Sequence, residues 1–107
     1  MNPQRKDDCS VRVVMPYHLR MLAKVTGEVV VEVAGAVTQN RILAALETKH
    51  PSLRGVIREH ETLKRRPMVR FFVCEEDVSN DSPDAELPAA IASGAKPFYV
   101  IGAIAGG

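Results

Sequence analysis

The chain has no tryptophan, two tyrosines, three phenylalanines and only two cysteines among its 107 residues. So few aromatics exclude a platform on which single-stranded nucleic-acid bases could stack. Cys9 and Cys74 stand far apart, with no CxxC spacing, which excludes a zinc knuckle, a dithiol redox motif and a disulfide-dense scaffold. Both are expected to be free thiols in a reducing cytosol. Charge of neither sign is in excess, with 14 basic and 13 acidic residues and a net charge of +1. Neither nucleic acid nor an anionic membrane is therefore expected as a partner. No run approaches the roughly 20 apolar residues that span a bilayer. Residues 1–10 carry Arg5, Lys6, Asp7 and Asp8 with no apolar stretch behind them, unlike a signal peptide, and a cytoplasmic location is expected. A glycine-rich phosphate loop and a Gly-x-Ser-x-Gly elbow are also missing.

What is present is ordinary globular composition, 46% hydrophobic and 25% charged, in a length that suits one domain. Residues 1–10 read as a polar, mobile leader and residues 11–107 as the domain. Val11, Val13 and Met15 alternate with Arg12 and Val14, a strand stopped by Pro16. Leu19, Leu22 and Ala23 have helical spacing, in a short helix or turn that Gly27 ends. Val29, Val31 and Val33 mark a second strand, antiparallel to the first. Thr38 is placed to cap a helix whose stripe is Ile42, Leu43, Ala45 and Leu46, with Gln39, Arg41, Glu47 and Lys49 mostly off it and Pro51 closing it.

Residues 55–66 form a weaker helical or looped stretch anchored by Val56, Ile57 and Leu63. Val69, Phe71 and Val73 then alternate with Arg70, Phe72 and Cys74 in a buried strand. Residues 75–88 read as an acidic, turn-rich, mobile loop. One helical turn over 89–93, stopped by Gly94, precedes an apolar strand over 98–101. Strands with one long helix crossing between them indicate an α+β roll, in which the helix lies across a mixed sheet.

The last strand runs into Gly102-Ala103-Ile104-Ala105-Gly106-Gly107. At ordinary glycine usage a terminal pair arises by chance in about 1 chain in 200. Without Cβ atoms such a tail lets a partner's backbone and a nucleotide phosphate approach closely. From Gly102 it can reach on the order of 20 Å, enough to enter another protein's active site.

These residues resemble the MoaD/ThiS family of ubiquitin-like sulfur carriers, and in particular the small subunit of molybdopterin synthase. The matching pieces are Ala36-Val37-Thr38 leading into Ile42-Leu43-Ala44-Ala45-Leu46-Glu47, then His50-Pro51-Ser52-Leu53, Phe71-Phe72-Val73 with Glu76-Asp77-Val78, Leu87 with Gly94, and the terminal Ala103-Ile104-Ala105-Gly106-Gly107. The resemblance implies a ubiquitin-like β-grasp fold, a mixed sheet of four to five strands with one main helix packed across it. It implies a carrier rather than an enzyme, with no bound cofactor and no metal. A partner adenylating enzyme of the ubiquitin-activating type would use ATP to turn the Gly107 carboxylate into an acyl-adenylate. A sulfide or persulfide source would then displace AMP and leave a thiocarboxylate. Gly106, Ala105 and Ile104 would thread into the partner, and Phe72 with Arg70 would contribute to a docking surface. The sulfur acceptor would resemble the large subunit of molybdopterin synthase. Thiamin, cysteine or another product, and a ubiquitin-like modifier joined to lysines through Gly107, are the alternatives. Two departures stand out. Gly102 replaces a frequent proline and is expected to loosen the tail, and Cys74-Glu75 replaces a frequent Asn-Gly turn.

Rival constellations carry less. Glu47-x-x-His50 has metal-ligand spacing but no second copy. Lys64, Arg65, Arg66 and Arg70, joined by Arg58, read as a solvated face or a patch for an acidic partner. Cys74 has no histidine placed by sequence to activate it.

Overall fold

The computed structural model describes residues 8–102. In chain order the elements are β1 (Asp8–Val14), α1 (Tyr17–Ala23), β2 (Val29–Ala34), α2 (Gln39–Lys49), a 3-10 turn (Pro51–Leu53), β3 (Val69–Val73), β4 (Glu76–Asp77), α3 (Ala89–Ala92) and β5 (Phe98–Gly102). The five strands form one sheet in the order β2-β1-β5-β3-β4. β1 is antiparallel to β2 with Val11 opposite Val31, and parallel to β5 with Val13 opposite Phe98. β3 is antiparallel to β5, with Phe71 opposite Val100. This is the mixed-sheet α+β architecture that the residue pattern indicated.

Alternation decides which face is the core. Val11 and Val13 on β1, Val29, Val31 and Val33 on β2, Val69, Phe71 and Val73 on β3, and Phe98 and Val100 on β5 all point inward. They meet Ile42, Leu43 and Leu46 of α2, together with Leu53, Ile57 and Ile91. Phe71 and Phe98 pack as a tilted pair with centroids 5.4 Å apart. The Thr38 hydroxyl accepts a hydrogen bond from the Arg41 amide at 3.1 Å, so α2 starts where the cap residue says it should. α2 also covers the free edge of β2. Lys49 Nζ donates to the Val30 carbonyl at 2.7 Å and Arg41 Nη1 to that of Ala34 at 3.0 Å, using cations where an open edge is exposed to strand pairing.

Several expectations fail, each for a physical reason. β1 begins at Asp8, so residues 8–10 of the expected leader are in the sheet, opposite Ala34, Val33 and Glu32. α1 ends at Ala23, ahead of the Gly27 expected to end it, with Lys24 as a left-handed cap (φ 60°), and Leu22 faces outward. Of the two alternatives for residues 55–66, helical or looped, the structure shows the looped one. Ile57 is buried there, whereas Leu63 is 47% exposed and stands at φ 61°. Gln39 and Glu47, expected off the stripe of α2, are buried because each has a partner: Gln39 Nε2 donates to the Val78 carbonyl at 2.7 Å, and Glu47 accepts from Arg58.

The acidic loop is not free. Val78 and Ser79 are buried, the Phe71 amide donates to Ser79 Oγ at 2.8 Å, and Asn40 Nδ2 donates to Asp84 Oδ1 at 2.7 Å. The Leu87 amide donates to the Val37 carbonyl at 2.9 Å. Backbone and side-chain partners thus tie this polar segment to β3 and α2, which composition could not show.

Candidate functional site

The residues expected to carry the chemistry, Ile104, Ala105, Gly106 and Gly107, lie outside the described residues. What the structure does place is the segment from which they follow and the sheet face beside it. β5 lies between β1 and β3, and its last described residue, Gly102, is paired with Val69. Pro16, His18, Leu19 and Val56 lie close to Val100, Ile101 and Gly102 around this end of the strand. Gly102, expected to loosen the tail, is paired with Val69 in the β3–β5 ladder; the tail itself lies outside the described residues.

The outer face of the sheet is the one α2 does not cover. Because Phe98 and Val100 point inward, Tyr99 and Ile101 point outward, 38% and 46% exposed. The register sets Phe72 opposite Tyr99, Arg70 opposite Ile101 and Val14 opposite Tyr99. Phe72, Tyr99, Ile101 and Val14 therefore form one apolar patch across three central strands. Of the two expected docking residues, Phe72 belongs to it and Arg70 lies at its edge, opposite Ile101. Tyr99 and Ile101 were missed because the uniformly apolar run over 98–101 hides its alternation until the strand pairs are known.

Arg70 reaches the site already paired. Its Nε and Nη2 lie 3.0 and 2.7 Å from Asp77 Oδ2. Hydrogen bonds from Ser79, hydroxyl first and backbone amide second, and then from Arg70 lower the Asp77 carboxyl to a pKa of about 2. On the other flank Arg12 forks onto Glu28, with Nε 2.9 Å from Oε1 and Nη2 3.1 Å from Oε2, and also donates to the Gly94 carbonyl at 3.1 Å. The hydrogen bond to Arg12 holds Glu28 below its ordinary carboxylate value. The patch thus has an apolar centre between two neutralised ion pairs, the anatomy of an apolar core with a polar rim.

The rival constellations do not assemble. Arg58 is buried on Glu47. Arg65 donates to the carbonyls of Ser79 and Val69, and Arg66 to that of Gly55. The expected basic face is thus largely spent on internal carbonyls and carboxylates. A cleft of about 470 Å³ does lie over Asn40, Leu43, Arg58 and Phe71. Its buried cation is consumed by Glu47 and Asn40, and it shares no residue with the end of β5. His50 caps α2 through its backbone amide, and Glu47 turns to Arg58 instead. Among the described residues no group of three or more His, Cys, Asp or Glu is placed to hold a metal ion. Cys9 and Cys74 are both free thiols and half-buried. No helix among the described residues is long and apolar enough to cross a membrane.

No protein-family model matches the chain, and no curated protein matches it. Solved structures do. Small archaeal modifier protein 1 of Haloferax volcanii superposes with a TM-score of 0.71 at 17% identity, over 90% of this chain and 99% of that one. The solution structure of the Haloferax volcanii HVO 2177 protein matches with a TM-score of 0.71 at 17% identity, over 100% of this chain and 94% of that one. A chain of the Amycolatopsis orientalis BexX/CysO complex matches with a TM-score of 0.66 at 26% identity, covering 91% of this chain and 99% of its own length. The fold is the ubiquitin-like β-grasp.

Proposed function

We propose that this ubiquitin-like β-grasp domain is a sulfur carrier, charged at the Gly107 carboxylate by a separate adenylating enzyme. The observation that carries the reading is the path of β5. The strand is held by β1 and β3, is paired with β3 as far as Gly102 among the described residues, and presents its outward residues Tyr99 and Ile101 beside that residue. A partner can therefore grip the apolar face and receive residues 103–107 from a defined origin. The likeness to a chain of a two-protein complex, and to a protein named as a modifier, supports a role exercised on other proteins.

The chemistry suits a carrier with no catalytic groups of its own. A carboxylate is a poor electrophile, having no good leaving group. Attack of a Gly107 carboxylate oxygen on the α-phosphorus of ATP expels pyrophosphate and makes the acyl-adenylate. Hydrosulfide attack at the acyl carbon then expels AMP and leaves the thiocarboxylate. ATP belongs to the partner's site, and this chain supplies the acyl group and the handle. Resemblance to the small subunit of molybdopterin synthase puts sulfur delivery to molybdopterin first among the acceptors, with a synthase large subunit as the receiving partner.

Mass spectrometry of the full chain, made with its adenylating enzyme in a sulfur-replete cell, tests this reading. The expected product has one carboxyl oxygen replaced by sulfur, and deletion of Gly107 abolishes it. If the charged chain retains two oxygens under those conditions, the carrier reading fails. The modifier named among the structural neighbours favours a second reading, attachment to lysines. Protein conjugates that disappear when Gly107 is deleted, without any thiocarboxylate, would establish it.

A further inference from the structure

The last described residue of β5, Gly102, follows the outward-facing Ile101 and is paired with Val69 on β3. A methyl group built on the α-carbon of Gly102 would stand 3.0 Å from Val69 Cα and 3.2 Å from the carbonyl carbon of Met68, and nearer still to the Met68 carbonyl oxygen. All three are backbone atoms, so no change of rotamer relieves the contact. Val69 is itself buried, with its amide donating to the Arg66 carbonyl at 3.0 Å. For a side chain to fit at position 102, the end of β5 must leave β3. The bare α-carbon lets neighbouring backbones close up, as adjacent strands do when a Cα–H faces a carbonyl.

We infer that Gly102 is a positioning residue for the tail. Its missing side chain allows the Met68–Val69 backbone to hold the chain at position 102, so the following segment starts from a set point and direction. This deepens the carrier reading and rests on it. A residue ordered before docking does not have to be ordered during docking. Loss of the Val69–Gly102 pair frees position 102 to rotate and lowers the fraction of docked carriers whose carboxylate reaches the nucleotide. The docking face, made by Phe72, Tyr99 and Ile101, is untouched.

The test compares three full-length chains: the natural one, Gly102→Ala, and a semisynthetic chain with D-alanine at 102. The D-methyl takes the place of the other α-hydrogen, on the side away from the Met68 carbonyl. Amide hydrogen exchange at Val69 and position 102 reports the strand pair. ATP–pyrophosphate exchange with the adenylating enzyme reports charging. Gly102→Ala is expected to lose protection at the pair and to lower kcat about tenfold while KM for the carrier stays within about twofold. D-alanine is expected to preserve both protection and kcat. Charging of Gly102→Ala at the natural rate, or a D-alanine chain as impaired as the L-alanine one, would overturn the inference. A natural chain that the enzyme never charges sinks the carrier reading itself, and amide exchange then still decides whether the pair depends on a bare α-carbon.

Discussion

Arg58 sets its guanidinium fork on the Glu47 carboxylate, with Nε 3.0 Å from Oε2 and Nη2 3.2 Å from Oε1, where the two side chains are only 4% and 12% exposed. Nη1 continues to Asn40 Oδ1 at 3.0 Å, and Asn40 in turn holds Asp84. One buried pair thereby ties residues 54–68 and the acidic loop to α2. Removing one partner strands a charge away from water, and Arg58→Ala is expected to cost about 3–5 kcal/mol. Replacing both with apolar residues of similar volume, Glu47→Leu with Arg58→Met, is expected to recover most of that. Urea unfolding of the two variants checks it, and equal losses in both would contradict the buried-charge account.

The turn between β3 and β4 places Cys74 at φ 49° and Glu75 at φ 70°. The left-handed two-residue turn that suits a hairpin thus survives without the Asn-Gly that favours it. A side chain in this region costs roughly 1–2 kcal/mol per residue. Cys74→Asn with Glu75→Gly is expected to raise the unfolding free energy by on the order of 1 kcal/mol, once the extra freedom of glycine in the unfolded chain is subtracted, seen as a higher urea midpoint at an unchanged m-value. No rise in midpoint would mean that the Cys74 side chain contributes more by packing than the turn loses by strain.

Asp77 has a folded pKa of about 2 against an ordinary value of 3.8. A lowered carboxyl pKa means that the folded state binds this proton more weakly than the unfolded state does. Its contribution is complete above the unfolded value and declines as pH falls from about 3.8 toward 2. Asp77→Asn is expected to lower stability at neutral pH and to flatten the acid limb in that window. Carboxyl titration by NMR checks the midpoint directly. A midpoint near the ordinary value would show that the Ser79 and Arg70 contacts do not persist in water.

Ile101 is outward-facing beside Arg70 and close to the end of β5. Ile101→Asp is expected to leave the melting temperature within a few degrees, as exposed substitutions usually do. It is also expected to weaken binding to the adenylating enzyme about tenfold or more, because an apolar docking centre would then carry a bare charge. Calorimetric titration against the enzyme measures the loss. Unchanged affinity would move the docking site elsewhere on the domain.

Much of the fold was legible because burial imposes a period. The valines of β1 and β2, the Val69-Phe71-Val73 series and the Ile42-Leu43-Leu46 stripe each repeat as their element requires, and Thr38 marked where the helix starts. Legibility failed where a partner distant in sequence supplies what a residue lacks. Glu47 looks solvent-facing until Arg58 is brought to it, and residues 75–88 look loose until Ser79, Asp84 and Leu87 find their partners. Lys24 and Leu63 take left-handed conformations that propensity assigns to glycine.

By itself the sequence determined the alternation, the helix stripe and its cap, and the order of the elements, because these follow from local covalent periodicity and near-neighbour hydrogen bonding. It also placed a side-chain-poor segment after the last strand. Only the tertiary structure decided that Tyr99 and Ile101 join Phe72 on one face, that Arg70 reaches that face already neutralised, and that the Met68 carbonyl lies where a side chain at position 102 would stand. Those relationships depend on strand register, and register is set by how the whole core packs.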